Sequence, residues 1–351
     1  MPNPFHPIVE ADLAIITGSP LPWDQFSGAS VLVTGAAGFL PAYLVETLLY
    51  LNRHHLAKPA RVTALVRNVD RARERFAPHF DDPQLEFLVQ NVSEPLITQR
   101  PFDYIIHAAS QASPVYYRTD PVGTLSANIF GTQHLLEAAR QHPVRGFLFF
   151  SSGEVYGIVK DTSRPIAEHD GGFLDPTDVR SCYGESKRMG ENMCASWAHQ
   201  YNVPTRIVRP FHTYGPGMRL DDGRVFADFV RDILRGGPIV LQSDGSARRS
   251  FCYLADATLG FFTVLLQGTD GTAYNIANPR GECSIAELAD RLAVEFQNEG
   301  ITVERRVRTD ANYFPSPIAS TVPDIARANA LGWDPRLSIE QGFRRTVESY
   351  R

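Results

Sequence analysis

The chain has 351 residues, 43% hydrophobic and 21% charged, enough for one large core or for a large and a smaller lobe. A formal net charge of -5 without any block of like charges argues against nucleic acid or an anionic membrane as partner. Four cysteines with neither CxxC spacing nor a histidine cluster argue against a bound metal or a disulfide framework, and fit a reducing compartment.

Residues 1–28 carry prolines and acids where a signal peptide needs a basic start and an apolar core. No run reaches the roughly 18 apolar residues of a membrane span. The expectation is a soluble, cytoplasmic protein whose first 28 residues form an extension lying on the main domain. "SVLVTGAAGF" then gives a short β-rich run and a glycine turn, followed by the helical pattern "AYLVETLLYLN". "RVTALVRN", "LEFLVQNV", "DYIIHAAS", "GFLFFSS" and "TRIVRPF" follow, most of them separated by helix-length segments. Continuous apolar runs without alternation are buried on both faces, as in a parallel sheet covered by helices. The predicted class is α/β, a Rossmann-type doubly wound sheet over residues 29–210. From residue 211 to 351 glycine and proline rise, as in "TYGPGMRLDDG", and a smaller α/β substrate lobe is expected. Part of residues 250–280 is expected to return to the first domain.

Gly35 and Gly38 lie between the first strand and the first helix. Gly35 permits a tight turn, and Gly38 lets backbone approach a pyrophosphate at the helix N-terminus. The spacing is G-x-x-G rather than G-x-G-x-x-G, so an ordinary glycine turn remains open. Pro41, in the first helical turn, lacks an N–H that would have no helical partner anyway. "TALVRN" ends in Val66, Arg67 and Asn68, with no acid for the ribose diol of NAD. Arg67 either receives the 2′-phosphate of NADP or is solvated, so NAD and NADP both remain candidates.

"SCYGESKRMGENMC" places Tyr183 and Lys187 at i and i+4, on one helix face. A phenol with an ordinary pKa of about 10 needs help to act as a base near neutrality, and a neighbouring ammonium stabilises the phenolate. Ser152, at the end of "GFLFFSS", can bind the same substrate oxygen.

With "VTGAAGF", "HAAS", "SSGEVYG" and "YGESK" assembled, the chain resembles the extended short-chain dehydrogenase/reductase family of nucleotide-sugar enzymes. "YGPGMRLDDGRVFADFV", "DGSARRSFCYLADA", "YNIANP" and "VPDIARANALGWDP" are similar to the UDP-glucuronate decarboxylases within it. The resemblance implies that Tyr183 takes the proton of the sugar C4 hydroxyl while hydride passes to the nicotinamide. Ser152 would hold that oxygen, and Lys187 would bind the nicotinamide ribose and tune Tyr183. Further candidate cofactor contacts are Phe39, Leu40, Asn91, Val92, Ala108, Ala109, Ser110 and Pro210. The 4,6-dehydratases of the family carry an acid where this chain has Gly153, which has no proton to give. Glu154 remains, as in the decarboxylases. Arg249 matches the arginine they place near the sugar carboxylate, with a structural ion pair or a diphosphate contact as alternatives. His212 stands where the family has an asparagine, and joins Ser152, Arg224 and Arg249 as candidate substrate contacts. The resemblance also implies a nucleotide-diphosphate sugar as partner. It implies a homodimer as well, with "NIFGTQHLLEAAR" and the Tyr183 helix in a four-helix interface. A 4-keto-6-deoxy-sugar reductase or a 4-epimerase would also use Tyr183 and Lys187. A dinucleotide-sensing regulator would have lost that pair.

Overall fold

A computed structural model describes residues 5–98, 100–161, 163–306 and 320–351. The six apolar runs become β1 (Ser30–Thr34), β2 (Arg61–Val66), β3 (Leu85–Val89), β4 (Tyr104–His107), β5 (Gly146–Phe150) and β6 (Thr205–Pro210). With β10 (Thr272–Ile276) they form one sheet in the order β10-β6-β5-β4-β1-β2-β3, every neighbouring pair parallel. β10 escapes the apolar-run criterion because Thr272 and Ala273 are only half-buried at the sheet edge. The order reverses between β1 and β4, which opens a crevice at the carboxyl ends of those strands.

The runs are continuous because successive residues serve two cores. Val31, Val33, Ile106, Leu148 and Phe150 pack on one face with α2 (Phe39–His54) and α8 (Leu254–Gln267). Leu32, Ile105, Phe147 and Phe149 pack on the other with α5 (Pro121–Gln141) and α6 (Cys182–Tyr201). Two short helices complete the layers: α3 (Val69–Arg75) lies with α2, where its Ala72 is buried, and α4 (Pro114–Thr119) precedes α5. α5 opens behind Asp120, whose carboxylate accepts from Gly123 N–H at 3.0 Å, with Pro121 in its first turn.

The second lobe is built round β9 (Arg248–Tyr253), which pairs with β7 (His212–Tyr214), β11 (Glu282–Ser284) and β13 (Ser320–Thr321). β8 (Ile239–Leu241) pairs with β12 (Val303–Arg305). Its helices are α7 (Val225–Leu234), α9 (Ile285–Glu295), α10 (Ala326–Asn329) and α11 (Ile339–Glu348). Capping boxes start α9 (Ser284 with Glu287) and α11 (Ser338 with Gln341). Between β9 and β11 the chain returns to the large sheet as α8 and β10.

The first residues form α1 (Pro7–Thr17), whose fully buried Asp12 accepts from Tyr43 at 2.7 Å, Tyr253 at 2.6 Å and Arg345 Nε at 2.9 Å. One carboxylate thus fastens the extension to α2, to the end of β9 and to α11. Burial pushes the Asp12 carboxyl up, against the pull of these donors. Deleting one member of such a buried pair costs about 3–5 kcal/mol. Among the described residues no helix is long and apolar enough to cross a membrane.

Candidate active site

The crevice begins at Gly35, whose φ of +66° belongs to glycine and whose missing Cβ would lie 2.7 Å from Ala109 Cα. No other residue lets the β1 turn and the β4 end come this close. Ala109 N–H donates to Thr34 Oγ1 at 3.1 Å, and Thr34 Oγ1 lies 2.9 Å from His107 Nδ1. His107 Nε2 reaches Thr132 Oγ1 of α5 at 3.1 Å. Burial, aided by Lys187, drives His107 down to about 3, so it is a neutral fastener. Gly38 precedes α2, whose first turn, Phe39 and Leu40, has no side-chain cap. Ser110 Oγ is buried without a protein partner. An uncapped helix start, a cradle that any Cβ would fill and a buried unpartnered hydroxyl suit the pyrophosphate and ribose of a dinucleotide. Arg67 is exposed just beyond β2, and Asn68 caps α3 by accepting from Arg71 N–H at 2.9 Å. Asn91 and Val92 follow β3 and Pro210 closes β6, so the cofactor candidates share the carboxyl edge of the sheet.

Tyr183 and Lys187 lie in the first turns of α6, both buried. The Ser152 hydroxyl acts on the Tyr183 phenol, whose ring stacks on Tyr117 at 4.9 Å. Burial raises Tyr183 to about 12, helped by the Glu154 charge and opposed by Ser152 and Arg224. Lys187 Nζ donates to Phe150 O at 2.6 Å and lies 5.8 Å from the Tyr183 ring. Burial lowers its ammonium to about 7, with Glu191 opposing.

Ser152 Oγ accepts from Glu154 N–H at 3.2 Å, starting the single turn Gly153–Tyr156. A Cβ on Gly153 would meet the Phe211 ring at 2.9 Å. That ring, stacked on Tyr156 at 6.0 Å, fills the place of a side chain at 153. The lobe contributes His212 from β7, Arg249 from β9 and Arg224 ahead of α7. His212 is driven down to about 3 by burial, then by Arg249 and Arg224, and its Nδ1 has no protein partner. Arg224 Nε donates to Asp222 at 2.6 Å, and its charge also bears on Tyr183 and Tyr117. Arg224 therefore links the lobe to Tyr183, whereas Arg249 acts on His212. The buried Arg249 donates to Arg248 O at 2.7 Å, while Arg248 pairs with Glu282 and Glu287.

Sequence reading does not find His107, Tyr117, Arg180 or Glu191. Arg180, three residues before Tyr183, has a buried Nε without a protein partner and acts on Tyr117. Its proximity to the Tyr/Lys pair was the available signal. Glu191 had one too, at i+4 from Lys187.

The model of the NAD dependent epimerase/dehydratase family matches residues 31–277. UDP-glucuronic acid decarboxylase 3 of Arabidopsis thaliana is 34% identical over 92% of this chain and 89% of its own length. UDP-glucuronic acid decarboxylase 1 of Xenopus tropicalis is 32% identical over 92% of this chain and 72% of its own. Among solved structures, UDP-glucose 4-epimerase from Thermotoga maritima superposes with a TM-score of 0.76 at 23% identity, covering 92% and 98% of the two chains. That likeness is one of fold.

Proposed function

Because the chain belongs to the NAD dependent epimerase/dehydratase family, we propose that it converts a UDP-linked uronic acid into the pentose by transient oxidation at C4. One observation carries the choice of reaction: Glu154 is kept beside Gly153, where Phe211 occupies the space of a donor side chain. An elimination at C6 needs an acid there, and a decarboxylation does not. The likeness to UDP-glucuronic acid decarboxylases over most of the chain supports the same reading.

Gly35, Gly38, the first turn of α2 and Ala108–Ser110 would hold the dinucleotide, which would supply reversible hydride acceptance for oxidation at C4. Ser152 and Tyr183 share the C4 oxygen, and Tyr183 takes its proton. A phenol at about 12 becomes a base near neutrality only beside a cation; Arg224 already acts on it, and Lys187 Nζ lies 5.8 Å from its ring. The resulting C4 ketone stands β to the C6 carboxylate. The C5–C6 bond breaks, carbon dioxide leaves, and the electron pair passes to the C4 oxygen as an enolate held by Tyr183 and Ser152. Glu154 positions the ring and manages the proton returned to C5. Arg249 orients the carboxylate, and Arg224, Arg180 and His212 receive the remaining polar groups of the nucleotide sugar.

Incubation with UDP-glucuronate, UDP-glucose and a dTDP-4-keto-6-deoxy sugar, with products read by mass spectrometry and NMR, tests this. Carbon dioxide and a UDP-pentose are expected from the first. An epimer of UDP-glucose or a reduced deoxy sugar, without carbon dioxide release, would move the assignment to an epimerase or a reductase. His212, in place of the family's asparagine, is the observation on the side of those alternatives.

The protein is further proposed to pair through α5 and α6. Leu135, Leu136 and Ala139 of the apolar stripe turn inward onto the sheet, but Val122, Phe130 and Met189 stay exposed. Light scattering at micromolar concentration should give twice the 39.0 kDa chain mass.

A further inference from the structure

The helix that carries Tyr183 and Lys187 bears a third group along the same face, Glu191. Three successive residues at the end of β5 each hold one of the three. Ser152 acts on the Tyr183 phenol, Phe150 O accepts from Lys187, and Ser151 Oγ donates to Glu191 Oε1 at 2.5 Å. Glu191 also accepts from Arg209 of β6, Nε at 2.8 Å and Nη2 at 2.6 Å. Arg209 continues to Tyr156 OH at 2.8 Å and Glu168 O at 2.9 Å, so the turn holding Glu154 is braced by the same carboxylate.

The groups around Lys187 come from three strands and its own helix. β4 offers His107, held neutral by burial. β5 offers the Phe150 carbonyl and the Phe149 ring, 4.9 Å from Nζ. α6 offers Tyr183, Glu191 and the buried Cys194 thiol, and Arg209 of β6 lies behind Glu191. Glu191 is the carboxylate in this set. A buried ammonium without an anion nearby would give up its proton.

We propose that Glu191 is a positioning residue of the reaction: it supplies the counter-charge to the Lys187 ammonium and anchors Ser151, hence Ser152, at the end of β5. The inference rests on the roles given above to Tyr183 and Lys187. It asks more of Glu191 than an ion pair that merely joins α6 to β6.

The chain has three lysines, Lys58, Lys160 and Lys187, and the first two are exposed. Titration of the cofactor-loaded protein labelled with [ε-13C]lysine, followed by NMR, therefore reads Lys187 directly, with Lys187→Arg for assignment. The wild-type midpoint is expected near about 7. Removing the anion disfavours the protonated form, so Glu191→Gln should lower the midpoint by about one unit. Ser151→Ala keeps the charge and should leave it in place. An unmoved midpoint in Glu191→Gln overturns the proposal. If that variant does not accumulate as folded protein, Glu191→Gln/Arg209→Gln, which leaves neither charge unpaired, is titrated instead, and a smaller downward shift is expected because loss of the Arg209 cation partly offsets loss of the carboxylate. Failure of both to fold would assign Glu191 a structural role and overturn the proposal equally. No sugar enters this measurement, so inactivity towards UDP-glucuronate would sink the proposed reaction and leave Glu191 standing.

Discussion

The two walls of the site carry charge in opposite ways. On the wall made by β5, β6 and α6, cations share an anion of the same chain: Glu191, one helical turn beyond Lys187, bears on its ammonium and pairs with Arg209. On the lobe wall, Arg224 and Arg249 flank an imidazole that they help to hold neutral, and Arg180 adds a guanidinium at the start of α6. Asp222, bound to Arg224, tempers that excess. The first wall is complete before any substrate arrives, since its polar groups are oriented by the protein itself. The second gathers guanidinium groups round a neutral imidazole, the arrangement proposed above to meet the anionic parts of a nucleotide sugar. The difference separates chemistry from recognition, and substitutions on each wall should fail differently.

The largest effect is expected on the balanced wall. Tyr183→Phe removes the proton acceptor but keeps the ring stacked on Tyr117, so folding and cofactor retention should persist. Turnover should fall by about 10²–10⁴-fold with little change in KM. A fall in KM-dependent affinity alone, with turnover intact, would place the base elsewhere and dissolve the contrast. The balanced wall is also the part most legible in the sequence. Tyr183 and Lys187 share a local helical period, and Ser152 ends an apolar run, so short-range patterns suffice. His107 escapes such reading because its meaning lies in Thr34 and Thr132, on other elements. Asp12 escapes it more completely. It reads as one acid in a short polar-apolar helix, and only the folded chain brings Tyr43, Tyr253 and Arg345 to it.

The lobe wall should fail in affinity. Arg249→Ala removes a charge-assisted contact of about 1.5–3 kcal/mol, or roughly ten- to a hundredfold in KM for UDP-glucuronate. UDP-glucose, without the carboxylate, should be affected far less in a binding assay. Equal losses for both ligands would assign Arg249 to the diphosphate instead. Arg248→Ala is the internal control, because that arginine is paired with Glu282 and Glu287 near the surface. The sequence shows "SARRSF" without saying which arginine turns inward. Strand alternation settles it only once the register of β9 against β11, Arg249 opposite Cys283, is known.

The smallest effect is expected outside both walls, where β2 ends. An NAD-selective site of this fold usually places a carboxylate there for the ribose diol. This chain has the exposed Arg67 instead, within electrostatic reach of Asp120. We propose that Arg67 receives the 2′-phosphate of NADP. An exposed contact of this kind contributes about 1 kcal/mol, so the preference it sets is only about fivefold. Arg67→Asp both removes the cation and restores an acceptor for the diol, and should turn the preference towards NAD by about that factor or somewhat more. Asn68 still caps α3 in the variant, so the strand end keeps its geometry. Mass spectrometry of the dinucleotide retained from an equimolar NAD and NADP mixture reads the ratio. A ratio that does not move would leave Arg67 a solvated partner of Asp120 and place cofactor choice elsewhere on the carboxyl edge.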